Sequence, residues 1–157
     1  MTSVRFEAMA TKTVEVYQAG GGDANGQLPE RHVSNGDGVP CRHCLSDVAA
    51  GEPYLILAHR PFSRADPYAE IGPIFLHAEA CGRYAEETKV PAMFLERERF
   101  LMRGYGADDR IVYGTGGIVA TDHMEMAAAT LFEQSDVAYI HLRSGSYNCF
   151  QCRIERA

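Results

Sequence analysis

Two short apolar runs dominate the hydrophobic pattern in the middle of the chain. Residues 53–59 and 73–77 are apolar and are bounded by turn-forming residues, a pattern typical of buried strands. The intervening residues 60–71 are rich in Pro, Ser and Asp and predict a loop. We therefore expect the two runs to be antiparallel neighbours. His59 would then lie at the mouth of the loop, where a rigid sheet often carries ligand contacts.

Further strands are predicted in the second half of the chain. Residues 99–105 and 110–113 flank a Gly-Ala-Asp-Asp turn and indicate a hairpin. Residues 136–143 and 147–155 indicate a second hairpin, joined by Ser144-Gly-Ser146. A loop of this length predicts that Arg143 faces Tyr147.

The register of the last hairpin predicts a specific contact between two reactive side chains. If Arg143 faces Tyr147, then His141 faces Cys149, with Cβ atoms about 4.5–5.5 Å apart. A loop longer or shorter by one residue would move this pairing. Strand alternation predicts one face carrying Tyr139, His141, Cys149, Gln151 and Arg153, and an opposite face carrying Ala138, Ile140, Leu142, Phe150, Cys152 and Ile154.

Helical patterns are few. Asp122 and Glu125 have the spacing of a capping pair, which predicts a helix running to about Gln134. Shorter helices are predicted over residues 78–87 and 91–96. The chain is therefore expected to be an α+β protein, with a mainly antiparallel sheet packed against the helix that begins at Asp122.

The N-terminal part of the chain has a different character. Residues 11–18 alternate β-branched side chains and predict a short strand, and residues 19–38 predict a flexible, glycine-rich loop. We expect a single domain over residues 1–157, with residues 1–38 forming this strand and loop and residues 39–157 forming the main body.

Charge and composition limit the classes of partner. The net charge is −6, and the 15 Lys and Arg residues are scattered, which argues against a nucleic-acid partner. No apolar run approaches the roughly 18 residues that a membrane span requires. The N-terminus lacks the apolar segment of a signal peptide. We therefore expect a cytoplasmic protein with no membrane partner, whose five cysteines are in a reducing compartment.

The cysteine spacing suggests a metal site. Cys41 and Cys44 form one Cys-x-x-Cys pair, and Cys149 and Cys152 form another. Two such pairs can supply the four thiolates of a tetrahedral zinc site. Cys149 and Cys152 would point to opposite faces of a regular strand, so a set in which His141 replaces Cys152 is an alternative.

A second hypothesis is a reactive thiol. An imidazolium from His141 would lower the pKa of the Cys149 thiol and make it a nucleophile, with Cys41 as a resolving or redox partner. This would make the protein a small thiol-dependent enzyme or a redox protein. The alternative to both hypotheses is that these are core residues, since free cysteine behaves as a small buried hydrophobe. Whether the protein is an enzyme stays open.

A third hypothesis needs neither a metal nor a reactive thiol. The mouth of the loop over residues 60–71 offers cations and a phenol beside an apolar sheet, which is suitable for a small anionic ligand. Arginine side chains can add a bidentate pair of hydrogen bonds to a carboxylate or phosphate. The predicted ligand contacts are His59, His77, Arg42, Tyr68 and Arg153.

Several short motifs occur along the chain in a fixed order. They are Pro40-Cys-Arg42, Gly51-Glu52, His59 with Pro61, Asp66-Pro-Tyr68, Gly72-Pro-Ile-Phe-Leu-His77, Ala138-Tyr-Ile-His141 and the segment from Cys149 to Arg156. They resemble the uncharacterised bacterial proteins grouped as domain of unknown function 1203, over roughly Asn35 to the C-terminus. The resemblance implies a compact bacterial domain and supplies no activity.

The chain departs from this family pattern at three positions. Small residues are expected at positions 43, 44 and 152, where this chain has His43, Cys44 and Cys152. A metal site that uses these residues would therefore be a feature of this chain rather than of the family. The sequence as a whole predicts that Cys41, His141 and Cys149 meet at one Cys/His-lined site.

Overall fold

The computed structural model describes residues 2–157 and confirms the α+β class. Within that range the chain forms strands in two antiparallel sheets and a few short helices. The elements in order are β1 Val4–Glu7, α1 Thr11–Gln18, β2 Glu30–Val33, β3 Pro53–His59, β4 Gly72–His77, α2 Ala92–Leu95, β5 Arg99–Tyr105, β6 Gly117–Ala120, a 3₁₀ helix Thr121–His123, α3 Met124–Leu131, β7 Tyr139–Ser144 and β8 Phe150–Arg156.

The strands are divided between a larger and a smaller sheet. The larger sheet has the order β1-β8-β7-β5-β6, and the smaller sheet has the order β2-β3-β4. The predicted antiparallel pairing of β3 with β4 is confirmed, and His59 lies opposite Gly72. The prediction of one continuous sheet is wrong, because β3 and β4 pair with each other and with β2 rather than with the C-terminal strands.

Strand alternation gives each sheet its buried face. In the larger sheet, apolar side chains such as Phe6, Ile140 and Ile154 pack against α2 and α3. Each such side chain stabilises the fold by about 1.5–3 kcal/mol when it is fully buried. In the smaller sheet, Leu57 and Leu76 pack with Val14 of α1 and with the residues that follow β2.

The opposite face of the larger sheet is also covered. Tyr105, Tyr139 and His141 project from this face, and Phe62 from the loop after β3 packs on them, with its ring 5.0 Å from that of His141. The loop after β3 therefore connects the two sheets. Polar side chains are buried in the space between them.

Two segments differ from their predicted secondary structure. Residues 11–18 form a helix rather than a strand, because their buried contact is the single side chain of Val14 and not an alternating face. Residues 78–87 have an irregular backbone with bends and are not helical. Instead, the backbone amide of Tyr84 donates to the carbonyl of His43, and the side chain of Arg83 donates to the carbonyl of Ala8.

The predicted strand over residues 110–113 and the predicted helix cap at Asp122 also require correction. Residues 110–113 do not form a strand, because β5 pairs with β6 and β7 and meets Ile111 only through an isolated bridge. The helix α3 ends at Leu131, and no side chain caps its N-terminus. Asp122 lies in the preceding 3₁₀ helix. The predicted helix 91–96 is present as α2.

The register predicted for the last hairpin is wrong. His141 faces Arg153, and Arg143 faces Phe150, with an irregularity between Leu142 and Arg143. The amide of Ser144 donates to the carbonyl of Cys149, so the loop is longer than predicted. Cys149 therefore lies before β8 and not opposite His141.

Candidate metal centre

A tight turn after β2 brings Cys41 and Cys44 together. The amide of Leu45 donates to the carbonyl of Cys41 at 3.1 Å, which closes the turn. Leu45 has a φ of 53°, which is in the left-handed region of backbone conformations. A non-glycine residue is strained in this region, and such residues are more frequent at functional sites than elsewhere. Leu45 is also buried, so apolar packing helps to hold this conformation.

The end of β4 and the irregular segment after it supply two more side chains. His77 is the last residue of β4, and Cys81 follows in the segment that runs alongside the turn. A parallel bridge between Cys41 and Phe75 holds the turn against β4. The site therefore depends on contacts between distant parts of the sequence.

These residues form one cluster of metal-ligating side chains, which we call the Cys3His cluster. Its ligand atoms all lie within 4.8 Å of one another. The sulfurs of Cys41 and Cys81 are 3.9 Å apart, and the sulfur of Cys44 is 3.5 Å from Nδ1 of His77. The members of the cluster are Cys41, Cys44, His77 and Cys81.

Two of the distances within the Cys3His cluster match those of a tetrahedral zinc site. Two sulfurs bound to one Zn²⁺ at about 2.3 Å lie roughly 3.8 Å apart. A sulfur and an imidazole nitrogen bound at about 2.3 and 2.0–2.1 Å lie roughly 3.6 Å apart. The observed separations of 3.9 Å and 3.5 Å agree with both values.

Neighbouring groups complete the surroundings of the cluster. The backbone amide of His77 donates to the sulfur of Cys41 at 3.3 Å. Nε2 of His77 lies 3.4 Å from a carboxylate oxygen of Glu52. Nδ1 of His43 lies 3.1 Å from the sulfur of Cys81. Such contacts orient metal-binding side chains and stabilise thiolates, and they tune metal affinity.

The three thiols of the cluster are too close to ionise independently. Hydrogen bonds from Cys44 and Cys81 lower the pKa of the Cys41 thiol. The same contact with Cys41 raises the pKa of Cys44 to about 11 and also raises the pKa of Cys81. One thiolate is therefore favoured without a cation, and a bound cation would favour all three.

The second Cys-x-x-Cys pair lies elsewhere. Cys152 is buried in the core of the larger sheet, where burial raises the pKa of its thiol. The sulfur of Cys149 is 3.7 Å from the carbonyl of Tyr147. Over residues 2–157, the group of side chains able to share a metal ion includes neither of these cysteines. The structure thus brings Cys41 and Cys44 together as predicted, but not with Cys149, Cys152 or His141.

The predicted thiol pair is not formed either. His141 faces Arg153 across the hairpin. Among the described residues 2–157, neither ring nitrogen of His141 has a hydrogen-bond partner. The imidazole therefore does not contact the sulfur of Cys149 as a thiolate–imidazolium pair would require.

The residues predicted to bind an anion are divided among different surroundings. Arg42 is buried and donates to the carbonyls of Phe150 and Pro40, so its guanidinium is used structurally. The phenol of Tyr68 contacts that of Tyr113. His77 belongs to the Cys3His cluster, and only His59 and Arg153 line a common cavity.

Sequence reasoning missed the pairing of His77 and Cys81 with the first Cys-x-x-Cys. The two residues are four apart and follow Cys44 within the same part of the chain, a spacing common in zinc sites. This spacing was visible in the sequence, but the second Cys-x-x-Cys pair was chosen as the source of the other two ligands. The hypotheses drawn from the sequence therefore did not include Cys81.

Comparisons with known proteins identify one related group. A family model described as "Protein of unknown function (DUF1203)" matches residues 38–156. No curated protein and no solved structure matches the chain. Within residues 2–157, no helix combines the length and the apolar character needed to cross a membrane.

Proposed function

The chain belongs to the DUF1203 family of proteins of unknown function, and we propose that its Cys3His cluster binds one structural Zn²⁺ ion. The observation that carries this proposal is that four metal-ligating atoms lie within 4.8 Å of one another, with two of their separations close to those of tetrahedral zinc. The match includes a sulfur pair at 3.9 Å and a sulfur–nitrogen pair at 3.5 Å. Three thiolates and one imidazole are a common ligand set for structural zinc.

The donor set favours zinc over other divalent ions. Thiolate ligands are soft and disfavour Mg²⁺ and Ca²⁺, which prefer oxygen donors. Four protein ligands complete a tetrahedron and leave no position for a substrate or an activated water. The proposed role of the ion is therefore structural rather than catalytic.

The ion would stabilise a part of the molecule that has little regular structure. The turn at Cys41 and the irregular segment around Cys81 lie outside the strands and helices. Their backbones are held by few regular hydrogen bonds, although Leu45 and Val48 are buried. A zinc ion would link both segments to the end of β4 at His77 and add to this apolar packing.

Metal analysis of two matched variants tests the proposal. Cys81 and Cys149 are both half-buried and both lie outside regular structure. Protein purified without added metal should contain about one zinc per chain by elemental analysis. The Cys81→Ser variant should lose the zinc, whereas Cys149→Ser should retain it.

Two outcomes would contradict the proposal. Wild-type protein that stays metal-free after incubation with Zn²⁺ under reducing conditions would exclude a zinc site. Equal loss of zinc in Cys81→Ser and Cys149→Ser would place the ion elsewhere. A metal-free protein in which Cys41 reacts rapidly with an alkylating reagent would instead favour a redox thiol, because a thiolate is the reactive form.

The Cys3His cluster favours a reducing compartment as the place where the protein works. The thiols of the Cys3His cluster must stay reduced to bind zinc, and two of the sulfurs are already 3.9 Å apart. A cytoplasmic location supplies the reducing conditions that such a site needs. Oxidation of Cys41 with Cys81 would compete directly with metal binding.

A further inference from the structure

A cavity separate from the Cys3His cluster lies on the covered face of the larger sheet. Its volume is about 270 Å³, and none of the four cluster residues lines it. The walls come from strand β7, from the start of the loop after β3 and from the segment that precedes α1. This volume is slightly below the ~300–1,000 Å³ typical of pockets for drug-sized molecules. The cavity is therefore suited to a smaller metabolite.

His141 is the most deeply buried polar group of this cavity. Its side chain is 1% exposed. Aromatic rings surround it, with Tyr105 and Phe150 each at 4.8 Å and Phe62 at 5.0 Å. Both of its ring nitrogens lack a hydrogen-bond partner among residues 2–157. A neutral imidazole offers one donor and one acceptor, so His141 has an unused donor and an unused acceptor in the wall of the cavity.

Other unpartnered atoms are concentrated at the same place. Nδ1 of His59, Nε of Arg60 and Oε2 of Glu7 are buried and lack partners within the described chain. With the two nitrogens of His141, they make five of the nine such atoms found over residues 2–157, and all five belong to residues lining this cavity. Since about nine in ten buried polar groups in proteins are hydrogen-bonded, to protein or to ordered water, this concentration indicates that a further polar partner belongs beside the cavity.

The charges around the cavity favour an anion with limited charge. Arg60, Arg83 and Arg153 line it, together with Glu7 and Asp109. Both oxygens of Asp109 already accept hydrogen bonds, from Tyr139 and Ser63. Arg153 is already paired with Glu155, and Arg83 lies 3.9 Å from Glu7. Over residues 2–157, Arg60 is therefore the cation of this lining that has no carboxylate partner. One free cation favours a monoanion over a phosphate dianion, which the nearby carboxylates would repel.

The electrostatic environment of His141 agrees with this charge balance. Burial lowers the pKa of His141 well below its usual value, and the guanidinium groups of Arg143, Arg153 and Arg103 lower it further. The imidazole is therefore neutral at physiological pH. The positive potential that disfavours an imidazolium at this position would stabilise a negatively charged ligand.

We propose that this cavity binds a small organic carboxylate that also carries a hydroxyl or amino group. The carboxylate accepts hydrogen bonds from the guanidinium of Arg60 and from the imidazole of His59 or His141. The hydroxyl or amino group donates to Oε2 of Glu7 or to the remaining imidazole nitrogen. The apolar part of the ligand packs on Phe62 and Phe150. This inference goes beyond the proposed zinc site and does not depend on it.

Imidazole NMR signals of the full-length protein provide the test. The probes are lactate and alanine, with acetate and inorganic phosphate as comparators. Lactate, alanine or both should shift the ring signals of His59 and His141 in a saturable manner at millimolar concentration. Acetate lacks the donor group and should bind more weakly. Arg60→Gln should weaken binding at least about tenfold, because it removes a charge-assisted hydrogen bond.

Matched variants and comparators keep the proposal falsifiable. Arg31→Gln also removes one arginine charge, but Arg31 lies on β2 and is exposed, so binding should be unchanged. His141→Phe should abolish binding, and Arg60→Gln gives an independent readout if that variant does not fold. The proposal is wrong if neither lactate nor alanine shifts the two histidine signals. It is equally wrong if phosphate or acetate binds as tightly, or if Arg60→Gln has no effect.

Discussion

Nδ1 of His43 lies 3.1 Å from the sulfur of Cys81, although the two residues are 38 positions apart. The other ring nitrogen of His43 lies 2.9 Å from the hydroxyl of Thr11, the first residue of α1. If the hydroxyl donates to Nε2, the proton of the ring is held on Nδ1 and is donated to the sulfur. His43 therefore connects the N-terminal helix to the Cys3His cluster.

The first prediction is that His43 tunes zinc affinity without binding the ion. His43→Phe should lower the affinity for Zn²⁺ by about 10- to 100-fold, the usual effect of losing a hydrogen bond to a metal ligand. The zinc content at saturation should remain one per chain. Competition with a chromophoric chelator measures the affinity. Thr11→Val should have a smaller effect in the same direction, and unchanged affinity in both variants would contradict the proposed role.

The second prediction concerns removal of the metal. A chelator should lower the melting temperature of the wild-type protein and of Cys149→Ser, and it should have no further effect on Cys81→Ser. The increase in the free energy of unfolding on zinc binding should stay below the roughly 10–16 kcal/mol of binding free energy found for isolated zinc-finger peptides. The reason is that the two sheets keep their own hydrophobic cores without the metal.

Hydrogen exchange should show where the metal acts. On chelation, amide protection should fall in residues 78–87, while β5 and β7 remain protected. Uniform loss of protection across the larger sheet would mean that the metal stabilises the whole fold rather than this segment.

The third prediction is that Arg42 is a structural cation. Its guanidinium donates to the carbonyls of Phe150 and Pro40, and burial lowers its pKa to about 10. Arg42→Met should destabilise the protein by about 2–4 kcal/mol, because it leaves both carbonyls without a partner. Urea denaturation measures this value. The exposed control Arg31→Met should change stability by no more than about 0.5 kcal/mol.

The fourth prediction is a loss of stability on mild acidification. Burial, and then the guanidinium of Arg42, lower the pKa of His59 to about 4. The unfolded chain takes up a proton at this histidine as the pH falls through about 6.5, before the folded protein does. The stabilising contribution is therefore present above that pH and is lost as the pH falls towards 4. It amounts to roughly 2–3 kcal/mol.

A pair of histidine variants tests this pH dependence. The free energy of unfolding of His59→Gln should vary less with pH between 6.5 and about 4 than that of the wild type. The exposed His123 provides a control, and His123→Gln should behave as the wild type does. An unchanged pH dependence in His59→Gln would show that His59 is not the responsible group.

Local patterns predicted the strands that carry their own apolar runs. β3, β4 and β5 were identified because short apolar segments bounded by turn residues are typical of strands. Residues 11–18 were not, because β-branched side chains favour strands only weakly and the packing of one residue, Val14, decided the outcome. The hairpin register was wrong because the loop before Phe150 includes Asn148 in a left-handed conformation, which lengthens the connection.

The candidate site could be predicted only in part. The pairing of Cys41 with Cys44 is a local feature and was predicted. The contribution of Cys81 depends on how β4 and the segment after it lie beside the turn, which is a tertiary contact. The cavity at His141 could not be predicted from the sequence, because it forms where the loop after β3 packs over the larger sheet. A histidine in an alternating strand does not reveal whether its nitrogens have partners.

The pairing of β1 with β8 has a practical consequence for the design of shorter fragments. The family match begins at residue 38, whereas β1 occupies Val4–Glu7 and forms the edge of the larger sheet. A fragment trimmed to the family boundary would expose the hydrogen-bonding edge of β8, which carries the apolar side chains of Cys152 and Ile154. Unpaired edges of this kind promote aggregation and strand exchange between molecules. Poor behaviour of such a fragment would therefore reflect a missing strand and not an unstable fold.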